Sequence, residues 1–326
     1  MAKSVSFYPI SFKRKLISKI WGGKKLEHFF SNRNSDKNYG ESWEISVLKG
    51  FESIVNNGVF KNKNLDKLIE KYPIEILGLG VFNKYGLNFP LLIKFIDVNK
   101  PLSIQVHPDD QTAKVRHNSF GKTEMWFIIE TEKNANLSLG FNKKMNKEIF
   151  YENLKNKTID KTLNSFKVRP KDAFYVPAGT VHSLNGKMLL LEIQQSSDIT
   201  YRIYDYERLD PKTGKKRKLH NELAISSINF SKNKNEKIKY NLTSNKLNPI
   251  IGNKFFKIYY LKINDTKTHE IFMNSSFWIL VCLEGSLSIN SKNKKYSFKK
   301  GKTFLIPAIV NTINIEGCGE IIGITA

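Results

Sequence analysis

From Pro101 to Asp110 the chain reads Pro-Leu-Ser-Ile-Gln-Val-His-Pro-Asp-Asp, with Leu102, Ile104 and Val106 alternating against Ser103, Gln105 and His107. A period of two marks a strand, whose successive side chains point to opposite faces. One face is apolar; the other presents an amide and an imidazole. Such a polar face ordinarily meets solvent, but the chain downstream supplies matching groups. At Pro177-Ala-Gly-Thr-Val-His182 a strand ends at the proline, Gly179 permits a turn, and His182 opens the next strand. In Gly121–Glu130, Lys122, Glu124 and Trp126 share one face while Met125, Phe127 and Ile129 share the other. Gln105, His107, Glu124 and His182 then make a set of two imidazoles, one carboxylate and one amide oxygen. A borderline divalent ion such as Zn²⁺ accepts that set, with a position left for water or substrate. The residues lie too far apart in sequence for a local finger. Only a barrel that gathers several strands can assemble them.

The rest of the chain reads as short strands with helical excursions. Trp43, Ile45 and Val47 alternate with Ser42, Glu44 and Ser46 as in a strand, within an N-terminal segment that otherwise reads as irregular. Asn64 is a candidate N-cap for a helix with Leu65, Leu68 and Ile69 on one face, stopped by Pro73. Phe89 to Asp97 is a buried strand carrying a single lysine, Lys94, which either reaches the rim or faces an anion. Asp109 and Asp110 are placed to cap a helix running to about His117, and 146–156 is amphipathic at helical spacing. Residues 211–218 form a basic loop read as a solvated turn. His28, His117, His220 and His269 lack the context of a ligand.

The 326 residues suffice for one large or two medium domains. Lys and Arg outnumber Asp and Glu by 53 to 30, a formal charge of +23. The lysines are scattered and travel with asparagine, which points to bulk composition rather than a nucleic-acid footprint, and no aromatic–basic binding motif accompanies them. The field nonetheless favours an anionic substrate. Cys282 and Cys318 have neither metal spacing nor a secretory context, and Phe89–Ile96 is too short to span a bilayer, so a cytoplasmic protein with free thiols is expected.

One internal comparison bears on domains. Gly301-Lys-Thr-Phe-Leu-Ile-Pro-Ala308 matches Lys171-Asp-Ala-Phe-Tyr-Val-Pro-Ala178 in pattern, which sets Thr312 opposite His182. Trp278 can be set against Trp126, with Ser276 opposite Glu124. The C-terminal part thus reads as a second copy of the same β-unit with its polar site erased. An N-terminal domain over 1–235 and a C-terminal one over 236–326 are expected.

The Pro-x-Gly-x-x-His pattern, with Asn185 after it, resembles the second motif of the cupins, which are double-stranded β-helix (jelly-roll) barrels. The first motif stands in altered form, with Gln105 where a histidine is usual and Glu124 displaced by the helical insert. That departure, together with residues 103–110, Lys122-Thr-Glu-Met-Trp126 and Asp198-Ile-Thr-Tyr-Arg202, resembles the type I mannose-6-phosphate isomerases in their shorter bacterial form. The likeness runs from Trp21-Gly-Gly23 and Gly40-Glu-Ser-Trp-Glu44 through Tyr204-Asp-Tyr206 into the second β-unit. Lys171 departs from it, standing where cupins commonly place a glycine.

The resemblance implies a mainly β protein of two cupin barrels with a few helical insertions, the second lacking metal ligands. It implies one Zn²⁺ per chain on Gln105, His107, Glu124 and His182. Arg202 would be the catalytic arginine, Lys122 and Glu192 would stand at the reacting carbons, and Ser103 and Lys94 near the sugar phosphate. The reaction would interconvert mannose 6-phosphate and fructose 6-phosphate through an enediol, with Glu192 and Lys122 both open as general base. Partners would be limited to the phosphosugar, with no nucleic acid and no membrane, the protein being a monomer or at most a weak homodimer. The rival reading is a non-catalytic metal-binding cupin that senses a phosphosugar; such a sensor could dispense with Arg202.

Overall fold

The structure is a computed structural model and describes residues 5–31, 37–211, 213–231, 237–265, 267–272 and 275–326. The chain forms two compact units interleaved in sequence, one of residues 16–43 and 92–238, the other of 1–15, 44–91 and 239–326. Residues 44–91 thus pack with the C-terminal part rather than with the segment that follows them.

The strands of the first unit, in chain order, are β1 (Lys15–Ile17), β2 (Glu41–Ile45), β3 (Leu91–Val98), β4 (Ile104–Val106), β5 (Glu124–Thr131), β6 (Asn136–Phe141), β7 (Leu163–Lys167), β8 (Ala173–Val176), β9 (His182–Asn185), β10 (Met188–Gln195) and β11 (Tyr201–Tyr204). They make a six-stranded sheet ordered β1-β2-β3-β10-β5-β8 and a five-stranded sheet ordered β11-β4-β9-β6-β7. Ile96, Val98, Trp126, Ile128, Leu137, Leu139, Phe174, Val176, Leu184, Met188 and Leu190, drawn from both sheets, form one buried cluster. That cluster is the barrel interior. Ile104, Val106, Phe150, Tyr201, Ile203 and Ala224 form a second cluster, which places helices Lys147–Lys155 and Asn221–Ile225 against the outer face of the smaller sheet. Strand parity then fixes the site. Lys94 shares a face with Ile96 and Val98, Glu124 with Trp126 and Ile128, His182 with Leu184, and Glu192 with Leu190, so all four point into the barrel. Gln105 lies opposite the outward-facing Ile104 and Val106 and points in as well. Leu102, read from the alternation as sharing their face, precedes β4 and instead joins the interior.

Caps behave as the sequence indicates where a side chain can reach. Asp109 accepts from Thr112 N–H at the start of helix Asp110–His117, and Asn146 accepts from Ile149 N–H at the start of Lys147–Lys155. Asn64 precedes helix Leu65–Lys71 in extended backbone but makes no cap bond. Pro73 does more than stop that helix. It opens the next one, Pro73–Leu77, at a first-turn position where its missing N–H has no partner to lose.

In the second unit, β12 (Leu247–Gly252), β13 (Lys257–Ile263), β14 (His269–Phe272), β15 (Trp278–Ser291), β16 (Lys294–Lys299), β17 (Thr303–Ile306) and β18 (Thr312–Thr325) form one seven-stranded sheet. The two units share a local frame. Lys171 N–H donates to Ile128 O and Gly301 N–H to Cys282 O, both at 2.8 Å. Both donors sit in the left-handed region, Lys171 at φ +72° and Gly301 at φ +76°. The lysine has therefore kept the turn a glycine would make, at a steric cost.

The ladders then correct one equivalence. Phe174 pairs with Trp126 and Val176 with Glu124, whereas Phe304 pairs with Leu280 and Ile306 with Trp278. Leu280 therefore stands where Trp126 does, and Trp278, not Ser276, stands where Glu124 does. A slip of two residues leaves every side chain on its face, so alternation alone is blind to it. On the other side of the frame, His182 pairs with Gln105 and Thr312 with Phe272. The second unit thus carries Phe272, Trp278 and Thr312 at the positions of Gln105, Glu124 and His182.

Candidate functional site

His107, Glu124 and His182 each offer a donor atom to one point, all within 4.8 Å of one another and all buried. Glu124 stands between the two rings, its Oε2 3.6 Å from His107 Nε2 and its Oε1 3.5 Å from His182 Nε2. Each ring is oriented from behind. His107 Nδ1–H donates to Ile199 O and His182 Nδ1–H to Thr180 O, both at 2.8 Å, which leaves both Nε2 lone pairs facing inward. Burial, then the Lys122 charge, lowers His107 well below the ordinary imidazole range. Burial takes His182 down to about 4. Both rings are therefore neutral at neutral pH, the form in which imidazole binds a metal.

Gln105 reaches the same point. Its amide nitrogen lies 3.2 Å from His182 Nε2, and its oxygen accepts from Ser103 Oγ at 3.3 Å. Rotating the amide by half a turn brings the oxygen inward, and the two orientations are equivalent in shape. Lys122 Nζ is 2.9 Å from Glu124 Oε2 and 3.1 Å from His107 Nε2. It pairs electrostatically with the carboxylate but is out of line for a hydrogen bond, so neither Glu124 oxygen accepts one. A fully buried carboxylate lacking hydrogen bonds is costly unless something cationic completes it. This donor set fits a divalent metal.

Beside the triad lies a second buried cluster centred on Lys94. Its Nζ is 3.5 Å from Asp198 Oδ1 and 3.7 Å from Glu192 Oε1, and it stands 4.5 Å over the Trp43 ring. Burial opposes its charge, but Glu41, Asp198, Glu192 and Glu124 together outweigh burial and raise it. Glu41 accepts from Trp43 Nε1 at 2.8 Å and pairs with Lys19 at 3.1 Å. Glu192 accepts from Trp126 Nε1 at 3.1 Å, and burial, then Glu124, raises its pKa.

Arg202 pairs with Gln105 across β11 and β4, and directly paired residues in such a ladder share a face. Its Nη1 donates to Lys218 O at 2.8 Å, while its buried Nε has no hydrogen-bond partner. Neither nearby acid in its segment takes it. Asp198 faces Lys94, and Asp205 pairs with Arg208 and Arg217. Arg202 instead lines a cavity of about 310 Å³ together with Lys19, Trp21 and Arg217. The basic loop read as a solvated turn is therefore partly structural: Arg217 is held by Asp205 and lies over the Trp21 ring, 5.4 Å from its centre. Lys212 of that loop lies outside the described residues.

Residues 10–133 match the family model of the phosphomannose isomerase type I catalytic domain, and 245–326 match that of the mannose-6-phosphate isomerase cupin domain. A probable mannose-6-phosphate isomerase of Bacillus subtilis is 34% identical, the match covering 96% of this chain and 98% of that one. The mannose-6-phosphate isomerase of Streptococcus mutans is 32% identical over 96% and 97%. The chain belongs to the type I phosphomannose isomerase family. A crystal structure of mannose 6-phosphate isomerase from Bacillus subtilis superposes with a TM-score of 0.88 at 34% identity, over 97% of this chain and 99% of that one. A second solved structure, from Archaeoglobus fulgidus at 22% identity and a TM-score of 0.79, carries the same fold.

Against this family frame, the residues that sequence reasoning passed over are Glu41, Trp43, Lys19, Trp21 and Arg217. Glu41 and Trp43 share a strand face with the same period as Gln105 and His107, so the alternation signal was there. Nothing local, however, says that their strand borders Lys94. The remaining histidines stay out of the site: His117 meets Tyr201 Oη at 2.7 Å, His220 accepts from Arg202 N–H at 3.1 Å, and His269 pairs with Asp265 at 2.8 Å.

Proposed function

We propose that the protein interconverts mannose 6-phosphate and fructose 6-phosphate, with one Zn²⁺ per chain held by His107, Glu124 and His182 and completed by Gln105. The observation that carries this reading is the buried Glu124 carboxylate, without hydrogen bonds, between two imidazoles whose outer nitrogens are already committed. When bound there, the ion supplies Lewis-acid polarisation to oxygens on the reacting carbons.

Aldose–ketose isomerisation moves a proton between neighbouring carbons through an enediol, so the protein must take the proton, hold it and return it. Glu192 suits that task better than Lys122. One of its oxygens is held by Trp126 and the other faces Lys94 at 3.7 Å, while its raised pKa brings a carboxylate nearer to neutrality. Lys122, bound to Glu124 and His107, is placed to steady charge that develops at the neighbouring oxygens. Lys94 is already surrounded by four carboxylates, an environment that repels a phosphate dianion. It serves to hold Glu192 in place and to meet sugar hydroxyls, and Ser103 orients the Gln105 amide. Arg202 faces the reacting end beside Gln105 and stabilises negative charge there. The phosphate then extends into the cavity lined by Lys19, Trp21 and Arg217, where burial and the Arg217 charge already hold Arg202 below its ordinary value for want of an anion.

Chemistry would belong to the unit of 16–43 and 92–238, the other unit being structural. No described helix is long and apolar enough to cross a membrane. A cytoplasmic monomer, or at most a weak homodimer, with no nucleic-acid partner completes the reading. A coupled assay on mannose 6-phosphate, with metal analysis, tests it. Turnover abolished by chelator and restored by Zn²⁺, at about one metal per chain, is the expected result. Binding of the phosphosugar without turnover would favour the sensor, and chelator-resistant turnover would remove the metal from the mechanism.

A further inference from the structure

The second unit holds a basic pocket that shares no residue with the candidate active site. Its volume is about 160 Å³, and it is lined by Phe12, Lys13, Arg14, Glu44, Asn56, Lys302 and Thr303. Three cationic side chains meet one carboxylate in this wall. Glu44 is already taken, accepting from Arg14 Nε at 2.9 Å. Arg14 is fixed further by donating from Nη2 to Gly301 O, so its guanidinium is anchored rather than mobile. Among the described residues no ion pair reaches Lys302, which is half-buried. Burial, followed by repulsion from Arg14, pulls its pKa down. Two cations held close together with one shared carboxylate are unfavourable as they stand.

An independent observation comes from the pocket's lining. Thr303 is about 95% buried, yet its Oγ1 has no hydrogen-bond partner. A buried hydroxyl left unpaired is an exception in folded proteins and wants an explanation. The first unit shows what this frame position does otherwise. There the residues corresponding to Lys302 and Thr303 are Asp172 and Ala173, and Asp172 is neutralised by Lys237 while the alanine offers nothing to bond. The second unit has exchanged a neutralised acid and a methyl group for an unneutralised base and a hydroxyl.

We infer that this pocket binds a phosphate-class dianion, with Arg14, Lys302 and Lys13 balancing its charge and Thr303 donating to one of its oxygens. The excess of two positive charges matches a dianion. Donors of three chemical kinds approaching from two separate stretches, 13–14 and 302–303, suit a tetrahedral oxyanion better than a planar carboxylate. The volume takes an inorganic phosphate or the terminal phosphate of a monoester, and both sources share this chemistry.

Isothermal titration of the full metal-loaded protein with inorganic phosphate, methyl phosphate and sodium chloride, at fixed ionic strength, tests the inference. Lys302→Ala and Thr303→Val are compared with the parent, with isomerase turnover followed in parallel. The expected result is a phosphate-binding event weakened on the order of tenfold or more in Lys302→Ala and severalfold in Thr303→Val, with turnover unchanged. Lys302→Arg should retain it. Equal binding of methyl phosphate identifies a monoester as an acceptable source, and binding of inorganic phosphate alone identifies the free ion; either supports the site. No phosphate heat in the parent, no weakening of the binding event in either Lys302→Ala or Thr303→Val, or heats matched by chloride, would overturn it.

Discussion

Replacing Lys94 by methionine removes a charge and little volume, so it isolates the electrostatics of the cluster around it. The side chain is only 3% exposed and stands 3.7 Å from Glu192 and 3.5 Å from Asp198. Asp198 is half-exposed and can rehydrate, whereas Glu41 and Glu192 cannot. Removing one member of a buried ion cluster costs about 3–5 kcal/mol, because the partners remain buried and uncompensated. The sign of the pH dependence follows from the two carboxylates. Burial resists Glu41's charge, yet Lys94 and Lys19 lower its pKa in the parent, so its stabilising contribution is complete above the unfolded carboxylate value and is lost only in strong acid. Without Lys94, both Glu41 and Glu192 are raised. A raised carboxylate destabilises the fold above its unfolded pKa, by about 1.4 kcal/mol for each unit of the shift. The deficit of Lys94→Met should therefore be largest near pH 8 and shrink by about 2 kcal/mol or more toward pH 5. Urea unfolding of the metal-saturated protein at several pH values measures it. A deficit below about 1 kcal/mol at pH 8, or one equal at pH 5 and pH 8, would refute the charge argument and leave only lost contact with Trp43.

Three further outcomes follow from the geometry. Arg202→Ala should keep its metal and its melting temperature but lose on the order of 10²–10³ in turnover, with Arg202→Lys rescuing only part; loss of the metal would make the residue structural. In metal-free protein the buried imidazoles resist protonation, with His182 near 4, while unfolded ones titrate near 6.5. The unfolded state therefore binds more protons, and stability should fall from pH 7 to pH 5 by up to about 1.4 kcal/mol per unit per ring, a slope that His182→Ala should reduce. Lys171→Gly should stabilise the protein by about 0.5–1 kcal/mol in urea titration, since it relieves a left-handed lysine at φ +72°. No gain there would mean that the lysine side chain repays its strain.

How far the sequence could carry this reading is set by the range of each signal. Side-chain facing is a local property, and the period of two placed Gln105, His107 and Glu124 on the faces where they stand. Caps are local too, which is why Asp109 and Asn146 were legible. Which strands become neighbours is decided by packing, so nothing in the sequence tied Glu41 and Trp43 to Lys94. The same limit explains the altered view of Lys94. Its apolar run announced burial, but the four carboxylates around it come from three distant stretches, at Glu41, at Glu124 and at Glu192 with Asp198. Strand pairing also decided between Ser276 and Trp278, because a slip of two preserves the pattern of faces. The interleaving of the units had no local signature, since 44–91 carries ordinary strand and helix signals whichever unit it joins.

The shared frame of the two units argues that a metal site is a property of several interior positions acting together. In the first unit, Gln105, Glu124 and His182 occupy positions that in the second belong to Phe272, Trp278 and Thr312. Trp278 is 6% exposed and stacks on Tyr259 with ring centres 5.3 Å apart, so the volume a carboxylate and ion would need is filled by indole. Restoring the carboxylate alone should then fail. Trp278→Glu removes the indole, which costs about 3–5 kcal/mol, and leaves an acid with no imidazole beside it. The variant should melt well below the parent and still bind only the metal of the first unit, as read by metal analysis of the folded fraction. A second equivalent of metal in Trp278→Glu would show that one carboxylate suffices to make a second site.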